Sequence, residues 1–478
     1  MRIAMVASEA APYIKSGGLG DVMLGLPNEL ARIPGNQVCL FLPYYQKIKN
    51  NRNFKVKPVT EFTVSLSWRQ QYAGLLKLES PDAGPQVYFL DNEYYFGRDG
   101  LYGYLDDGER YAFFSKAVLD AMSVLGYIPD VIQTNDWQTA MVPVYLNAFY
   151  RNMFPKTRTL FTIHNIEYQG WANPDFFDNV LGLPDSFRGI MDMSGGVNMM
   201  KGAIESADAV STVSETYAQE IRYPYYAHGL DGILSANWFK LQGITNGVDV
   251  NMFDPATDKA LVKNYDAETF EAGKAANKAA IQRELGLPAR PEVPVLTMIT
   301  RLAGHKGLDL LCYAARQLLE RDVQLIILGT GEQRFENFFR GLAAEFPTKV
   351  SAQIRFDLKL ANRLYAAADI YLMPSKSEPC GLSQMNAMRY GTVPVVNATG
   401  GLKDTVPPVN GDNTEGLGFT FQSYNGDDFR GAVERCLELY RKDPQGWKTL
   451  IRRDMSMDFS WKNPAKKYMD LFRRLTGK

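Results

Sequence analysis

The sequence predicts an α/β protein built from two doubly wound parallel-sheet units. Three observations carry that prediction. The chain has 478 residues, more than one ordinary hydrophobic core serves. Short, nearly continuous apolar runs alternate with helical patterns, as parallel strands covered on both faces require. The alternation also stops and restarts: a charged, alanine-rich stretch from Ala256 to Arg290 closes on the proline cluster "GLPARPEVP", and strands then begin again.

In chain order, "RIAMVAS" is the first strand, and the glycine-rich "KSGGLGDV" leads from it into a helix near Gly18 to Ile33. "QVCLFLP", "QVYFLDN", "DVIQTND", "RTLFTIHN" and "AVSTVS" read as further strands, with helices such as "ERYAFFSKAVLDAMSVLGY" between them. Asn50 to Glu93 carries β-rich runs without helices and reads as a hairpin inserted on a sheet edge. Ala256 to Arg290 reads as helical. The second unit then offers "VPVLTMITRL", "VQLIILGTG", "SAQIRF", "DIYLMPS" and "VPVVNATG" as strands. The boundaries are expected at 1–249 and 250–458. The terminal segment 459–478 repeats Trp461, Ala465, Tyr468, Met469, Phe472 and Leu475 at helical spacing. That apolar stripe must dock, and the first unit is the expected surface.

Composition narrows the function. The formal charge is −1 and 46% of residues are apolar, which favours a globular protein with no overall field for nucleic acid or an acidic membrane. The four cysteines, Cys39, Cys312, Cys380 and Cys436, are scattered and form no C-x-x-C pair. This reads as a reducing compartment with neither a disulfide framework nor a zinc site. No signal or transit peptide and no membrane span is read, so a cytoplasmic protein is expected, with a plastid left open.

Ligands of doubly wound sheets bind beyond the carboxyl ends of strands, and the distinctive motifs follow strands. Lys15, Gly17 and Gly18 follow the first one. Bare glycines at a helix start let backbone N–H groups approach an anion, and Lys15 adds charge; a tight turn with a solvated lysine is the alternative. In "TRLAGHKGLD", Arg301 and Lys306 occupy one strand-to-helix turn and suit a diphosphate, unless they are two ordinary surface cations. In "SKSEPCGLSQ", the N–H groups of Cys380, Gly381 and Leu382 open a helix, and Glu378 is placed either to accept from sugar hydroxyls or to cap that helix. Thr399 and Gly400 repeat the device after "VPVVNATG". His164 ends a strand and is one of three histidines; Asp136 and Trp137 end another. There is no D-x-D sequence, so a metal-held diphosphate is not expected, and neither cofactor nor metal is assigned. A leaving diphosphate would depend on protein cations and helix ends.

Taken together, "KSGGLGDV", "HNIEYQG", "ITNGVD", "TRLAGHKGLDLL", "SEPCGLSQ" and "TGGLKDTV" span nearly the whole chain in an order that resembles bacterial glycogen synthases and plant starch synthases. The resemblance implies a GT-B glycosyltransferase: two Rossmann-like domains facing across a cleft, an acceptor domain first and a donor domain second. It implies transfer of glucose from ADP-glucose to the non-reducing 4-hydroxyl end of an α-1,4-glucan, with retained configuration. It implies that Lys15, Gly17, Gly18, Arg301 and Lys306 serve the diphosphate, with Asp21, Cys380, Gly381, Leu382, Thr399 and Gly400 among the donor-binding residues. Glu378 then contacts the donor sugar, His164 and Asn246 lie near it, and Phe356 stacks on the base. Glu378, His164, Arg301 and Lys306 are the candidate catalytic residues. Asp136, Trp137, Tyr168 and Gln169 are assigned to the acceptor side.

Three positions depart from the family pattern. Asn135 stands where histidine is usual, His305 where glutamine is usual, and Glu167 where alanine is common. A nucleotide-sugar epimerase on the same fold, and a catalytically silent glucan-binding protein, are the competing readings. Oligomeric state is not legible.

Overall fold

The computed structural model describes residues 1–79 and 84–478. Its contacts divide into two compact units. One holds Met1–Gly247 together with Trp461–Lys478, and the other holds Val248–Ser460.

The first unit contains β1 (Arg2–Val6), β2 (Gln37–Pro43), β3 (Val56–Leu66), β4 (Arg69–Leu78), β5 (Gln86–Asp91), β6 (Val131–Asn135), β7 (Arg158–Ile163), β8 (Trp171–Ala172), β9 (Asp192–Met193), β10 (Gly196–Asn198), β11 (Ala209–Thr212) and β12 (Leu241–Gly243). Among the described residues its main sheet runs β12-β11-β7-β6-β1-β2-β5-β4-β3. β1 pairs in parallel with β2 on one side and β6 on the other. Strand order therefore reverses at β1, and the crevice beyond the ends of β1 and β6 is the switch point where such sheets bind ligands. Ile3, Ala4, Met5 and Val6 are wholly buried, as a central strand covered on both faces demands. β3 and β4 form an antiparallel hairpin on the sheet edge, joined through β5.

The helix Gly18–Arg32 follows β1 and buries Leu19, Val22, Met23, Leu26 and Leu30. Its partner includes the helix Lys462–Thr476 at the far end of the chain. A Cβ placed on Gly25 would fall 1.9 Å from Trp461 Nε1, so glycine lets the indole seat directly on the helix backbone. Trp461, Ala465, Tyr468, Met469 and Phe472 are buried. The terminal stripe thus completes the core of the first unit.

The second unit contains β13 (Val295–Ile299), β14 (Gln324–Leu328), β15 (Val350–Gln353), β16 (Ile370–Met373), β17 (Val393–Asn397) and β18 (Phe419–Phe421). They run β15-β14-β13-β16-β17-β18, and each neighbouring pair is parallel. This is the doubly wound 3-2-1-4-5-6 order, with its switch point between β13 and β16.

One expectation needs correction. Of the stretch Ala256 to Arg290, only Phe270–Glu284 is α-helical. Before it, the Asp254, Asp258 and Asp266 carboxylates accept from the N–H groups of Ala256, Ala260 and Thr269. These local turns offer the backbone an alternative to the helix.

Candidate active site

Beyond β1 the chain passes through the buried Ser8 and Glu9 to the glycine loop. Gly17 caps the helix Gly18–Arg32 with extended backbone and no side chain to satisfy the helix end. The first N–H groups of a helix lack intrahelical acceptors and carry partial positive charge. The glycines differ in purpose. A Cβ on Gly20 would lie 2.8 Å from Lys15 Cγ, so this glycine makes room for the lysine stem. A Cβ on Gly18 would meet nothing within 4 Å, which leaves the helix start open to approach. The Lys15 ammonium lies 2.6 and 2.7 Å from the two carboxylate oxygens of Asp21. Its charge is therefore partnered; both side chains are partly exposed, so the pair is weak and exchangeable. Behind the loop, Glu9 accepts from the Ser16 N–H. Burial raises the Glu9 carboxyl, opposed by its hydrogen bonds from Ser16 and Gly17 and by the Lys15 charge.

The ends of β6 and β7 bring three polar residues together. Asp136 has φ +56°, a conformation costly for a residue with a side chain, and such strain concentrates at functional sites. Its Oδ1 accepts from the N–H groups of His164 at 2.7 Å and Asn165 at 3.2 Å. Burial pushes the Asp136 carboxyl up to about 7 against those two hydrogen bonds. His164 Nε2 lies 2.9 Å from Asn135 Oδ1, and burial holds the imidazole down to about 3. Trp137 packs edge-on to Tyr111 at 5.4 Å. Tyr168 is exposed, whereas Gln169 is buried. The Gln169 amide donates to the Ile166 and His228 carbonyls and accepts from Asn198 Nδ2. Those bonds make it a brace for its loop. Asn246 is buried, and its Oδ1 has no hydrogen-bond partner among the described residues.

In the second unit the switch point is tightly built. Lys306 Nζ lies 2.7 Å from Glu378 Oε2, although 72 residues separate them. The same oxygen accepts from Ser375 Oγ at 3.0 Å. The turn after β13 is pinned to the end of β16 by the Lys376 N–H donating to the His305 carbonyl at 2.9 Å. Gly307 makes this approach possible: its φ is +76°, and a Cβ there would fall 1.9 Å from the Pro374 carbonyl oxygen. Arg301 is exposed on the same turn. Behind Glu378, the Gly401 N–H donates to the Glu378 carbonyl at 3.0 Å, and a Cβ on Gly401 would lie 2.2 Å from the Cys380 carbonyl oxygen. The segments Glu378–Leu382 and Thr399–Gly401 are thereby locked together. The N–H groups of Gly381 and Leu382 stand at the start of the helix Ser383–Arg389, ahead of any intrahelical acceptor. Phe356, beyond β15, is 82% exposed, a bare aromatic face at a strand end.

The candidates thus gather within each unit: Lys15 with Asp21, and His164 with Asp136, in the first; Lys306 with Glu378, and the 378–382 segment with Thr399–Gly401, in the second. Sequence reasoning did not single out Ser375, Glu9 or Gly307. The signal for Gly307 was present, since a glycine directly before a helical run suggests an αL entry. Ser375 could be found only from the fold.

Comparison with known proteins agrees with these motifs. Residues 2–236 match the family model described as starch synthase catalytic domain, and residues 281–451 match glycosyl transferases group 1. The chain is 44% identical to the glycogen synthase of Clostridium perfringens, covering 99% of this chain and 98% of that one. It is 44% identical to the glycogen synthase of Clostridium beijerinckii over all of both chains. Among solved structures, the catalytic domain of starch synthase IV from Arabidopsis thaliana bound to ADP and acarbose superposes with a TM-score of 0.90 at 34% identity, covering 100% of this chain and 99% of that one.

Proposed function

The chain belongs to the glycogen and starch synthase family of GT-B glycosyltransferases, and from that premise we propose that it transfers glucose from ADP-glucose to the non-reducing 4-hydroxyl of an α-1,4-glucan with retention of configuration. The observation that carries the proposal is the Lys306–Glu378 contact at the second switch point, 2.7 Å long, beside the exposed Arg301. A lysine held by a carboxylate is ready to exchange it for a diphosphate. Glu378, relieved of that partner, then accepts from donor-sugar hydroxyls. Arginine binds a diphosphate as a fork and lysine as a point charge. Lys15, Gly17 and Gly18, with the helix start behind them, are the anion-binding candidates of the first unit. Phe356 stacks on the base, and His164 and Asn246 serve the donor glucose. Asp136, Trp137 and Tyr168 belong to the acceptor.

The anomeric carbon–oxygen bond breaks through an oxocarbenium-like state. The acceptor hydroxyl attacks from the face the leaving group departs, and a phosphate oxygen takes its proton. Arg301 and Lys306 stabilise the charge that collects on the leaving group. No divalent ion and no cofactor is invoked.

The test is incubation with ADP-glucose or UDP-glucose and a maltooligosaccharide, with and without a chelator. Chain extension with ADP release, unchanged by the chelator, is the expected result. Free altered sugar without extension, or turnover that requires added magnesium, overturns it.

A further inference from the structure

His164 touches a partner whose chemistry dictates the state of its ring. Asn135 is wholly buried at the end of β6. Its backbone is clamped by Thr139: the Asn135 N–H donates to Thr139 Oγ1 at 2.6 Å, and that hydroxyl donates back to the Asn135 carbonyl at 2.9 Å. The carboxamide bridges two strands. Nδ2 donates to the Val6 carbonyl at the end of β1, at 3.0 Å, while Oδ1 meets His164 Nε2 at the end of β7, at 2.9 Å. The Val6 carbonyl is acceptor-only, so the amide nitrogen must face it; the reversed amide would set two acceptor oxygens against each other. Oδ1 is therefore the atom that faces His164, and a ring nitrogen opposite an acceptor must carry the hydrogen. In a neutral imidazole the other nitrogen, Nδ1, is then a bare acceptor.

We infer that Asn135 is a positioning residue that holds His164 as its Nε2–H tautomer and so presents Nδ1 as a hydrogen-bond acceptor to a hydroxyl of the donor sugar. The link from tautomer to turnover rests on the reading of His164 given above. The tautomer itself does not. The burial that holds the imidazole neutral supports a ring that accepts a hydrogen bond and does not donate a proton from Nδ1.

The experiment is long-range ¹H–¹⁵N NMR on the full chain labelled at histidine. The chain has three histidines, and His164 is assigned by the signals lost in His164→Gln. The free enzyme is expected to show the Nε2–H pattern. Asn135→Ala should lose it, and kcat should fall about tenfold, as loss of one hydrogen bond's worth of orientation predicts, with KM for the donor changed less. An Nδ1–H pattern in the wild-type protein overturns the inference whatever the substrate proves to be. So does an unchanged tautomer in Asn135→Ala, or a lost tautomer with unchanged kcat. Failure of the chain-extension assay, by contrast, would sink the proposed activity while leaving the tautomer result intact.

Discussion

Lys306 and Glu378 make a residue-scale case in which pairing and function compete. Their contact is mostly enclosed, with side chains 20% and 10% exposed, so each charge depends on the other when no substrate is bound. Lys306→Ala is expected to lower kcat by about 10²–10³-fold, the usual effect of losing one charge-stabilising donor. Circular dichroism and Tm should show the fold retained; near-normal turnover would remove Lys306 from the chemistry. Glu378→Gln keeps the shape but weakens hydrogen bonding to sugar hydroxyls. It should depress kcat more than ADP affinity, which calorimetry with ADP can separate from the rate.

The His164 and Asp136 side chains make a second residue-scale prediction, about pH. Burial lowers His164 from 6.5 to about 3 and raises Asp136 from 3.8 to about 7. Between pH 3.8 and 6.5 the folded chain holds a proton on Asp136 and none on His164, and the unfolded chain holds the reverse. The proton counts match, so the two contributions to the pH slope of stability cancel. In Asp136→Asn only the histidine contribution remains. Its stabilisation is complete above pH 6.5 and is lost as pH falls toward 3. Unfolding free energies from urea titration should therefore drop more steeply for the variant than for wild type between pH 6.5 and 4.5, by on the order of 2 kcal/mol. Parallel curves would show that the two groups are not perturbed in this way.

At the scale of elements, the turn after β13 is the decisive piece. Gly307 combines a positive φ with contact against the Pro374 carbonyl. Gly307→Ala should push this turn off the end of β16 and separate Lys306 from Glu378. The expected outcome is a loss of about 1–3 kcal/mol in stability, from the strain, together with a larger fall in kcat than in Tm would suggest. Wild-type kcat in that variant would show that the turn is not held by this contact. Elements were legible where burial on both faces demanded apolar runs, as in β1, β13 and β16. They were misread where polar side chains redirected the backbone, as between Ala256 and Phe270. The short strand β18 (Phe419–Phe421) carries too few residues for periodicity to register.

At the scale of the whole molecule, the first unit is closed by both ends of the chain. Trp461 is 5% exposed, seated on Gly25. Trp461→Ala should cost about 3–5 kcal/mol, the range for deleting a large buried aromatic. Hydrogen exchange should then rise in the helix Gly18–Arg32, while the strands β13 to β18 keep their protection. Equal loosening of both units would refute the assignment of this helix to the first.

The sequence alone determined the long central strands of both sheets and the helices that follow them, and which strand end each polar motif follows. Burial on two faces needs continuous apolar runs, and loops need glycine, proline and short polar residues; both are local demands written in local composition. Glu378 follows β16 and His164 follows β7 on that evidence. Only the tertiary structure decided which strand ends adjoin. β13 and β16 pair in parallel across an intervening stretch of some 70 residues, and that pairing is a long-range choice set by packing. It puts Lys306 against Glu378; in the other sheet, β6 between β1 and β7 puts Asn135 between Val6 and His164. Hydrogen bonds and ion pairs act over about 3 Å, so the site's chemistry exists only once distant strands lie side by side.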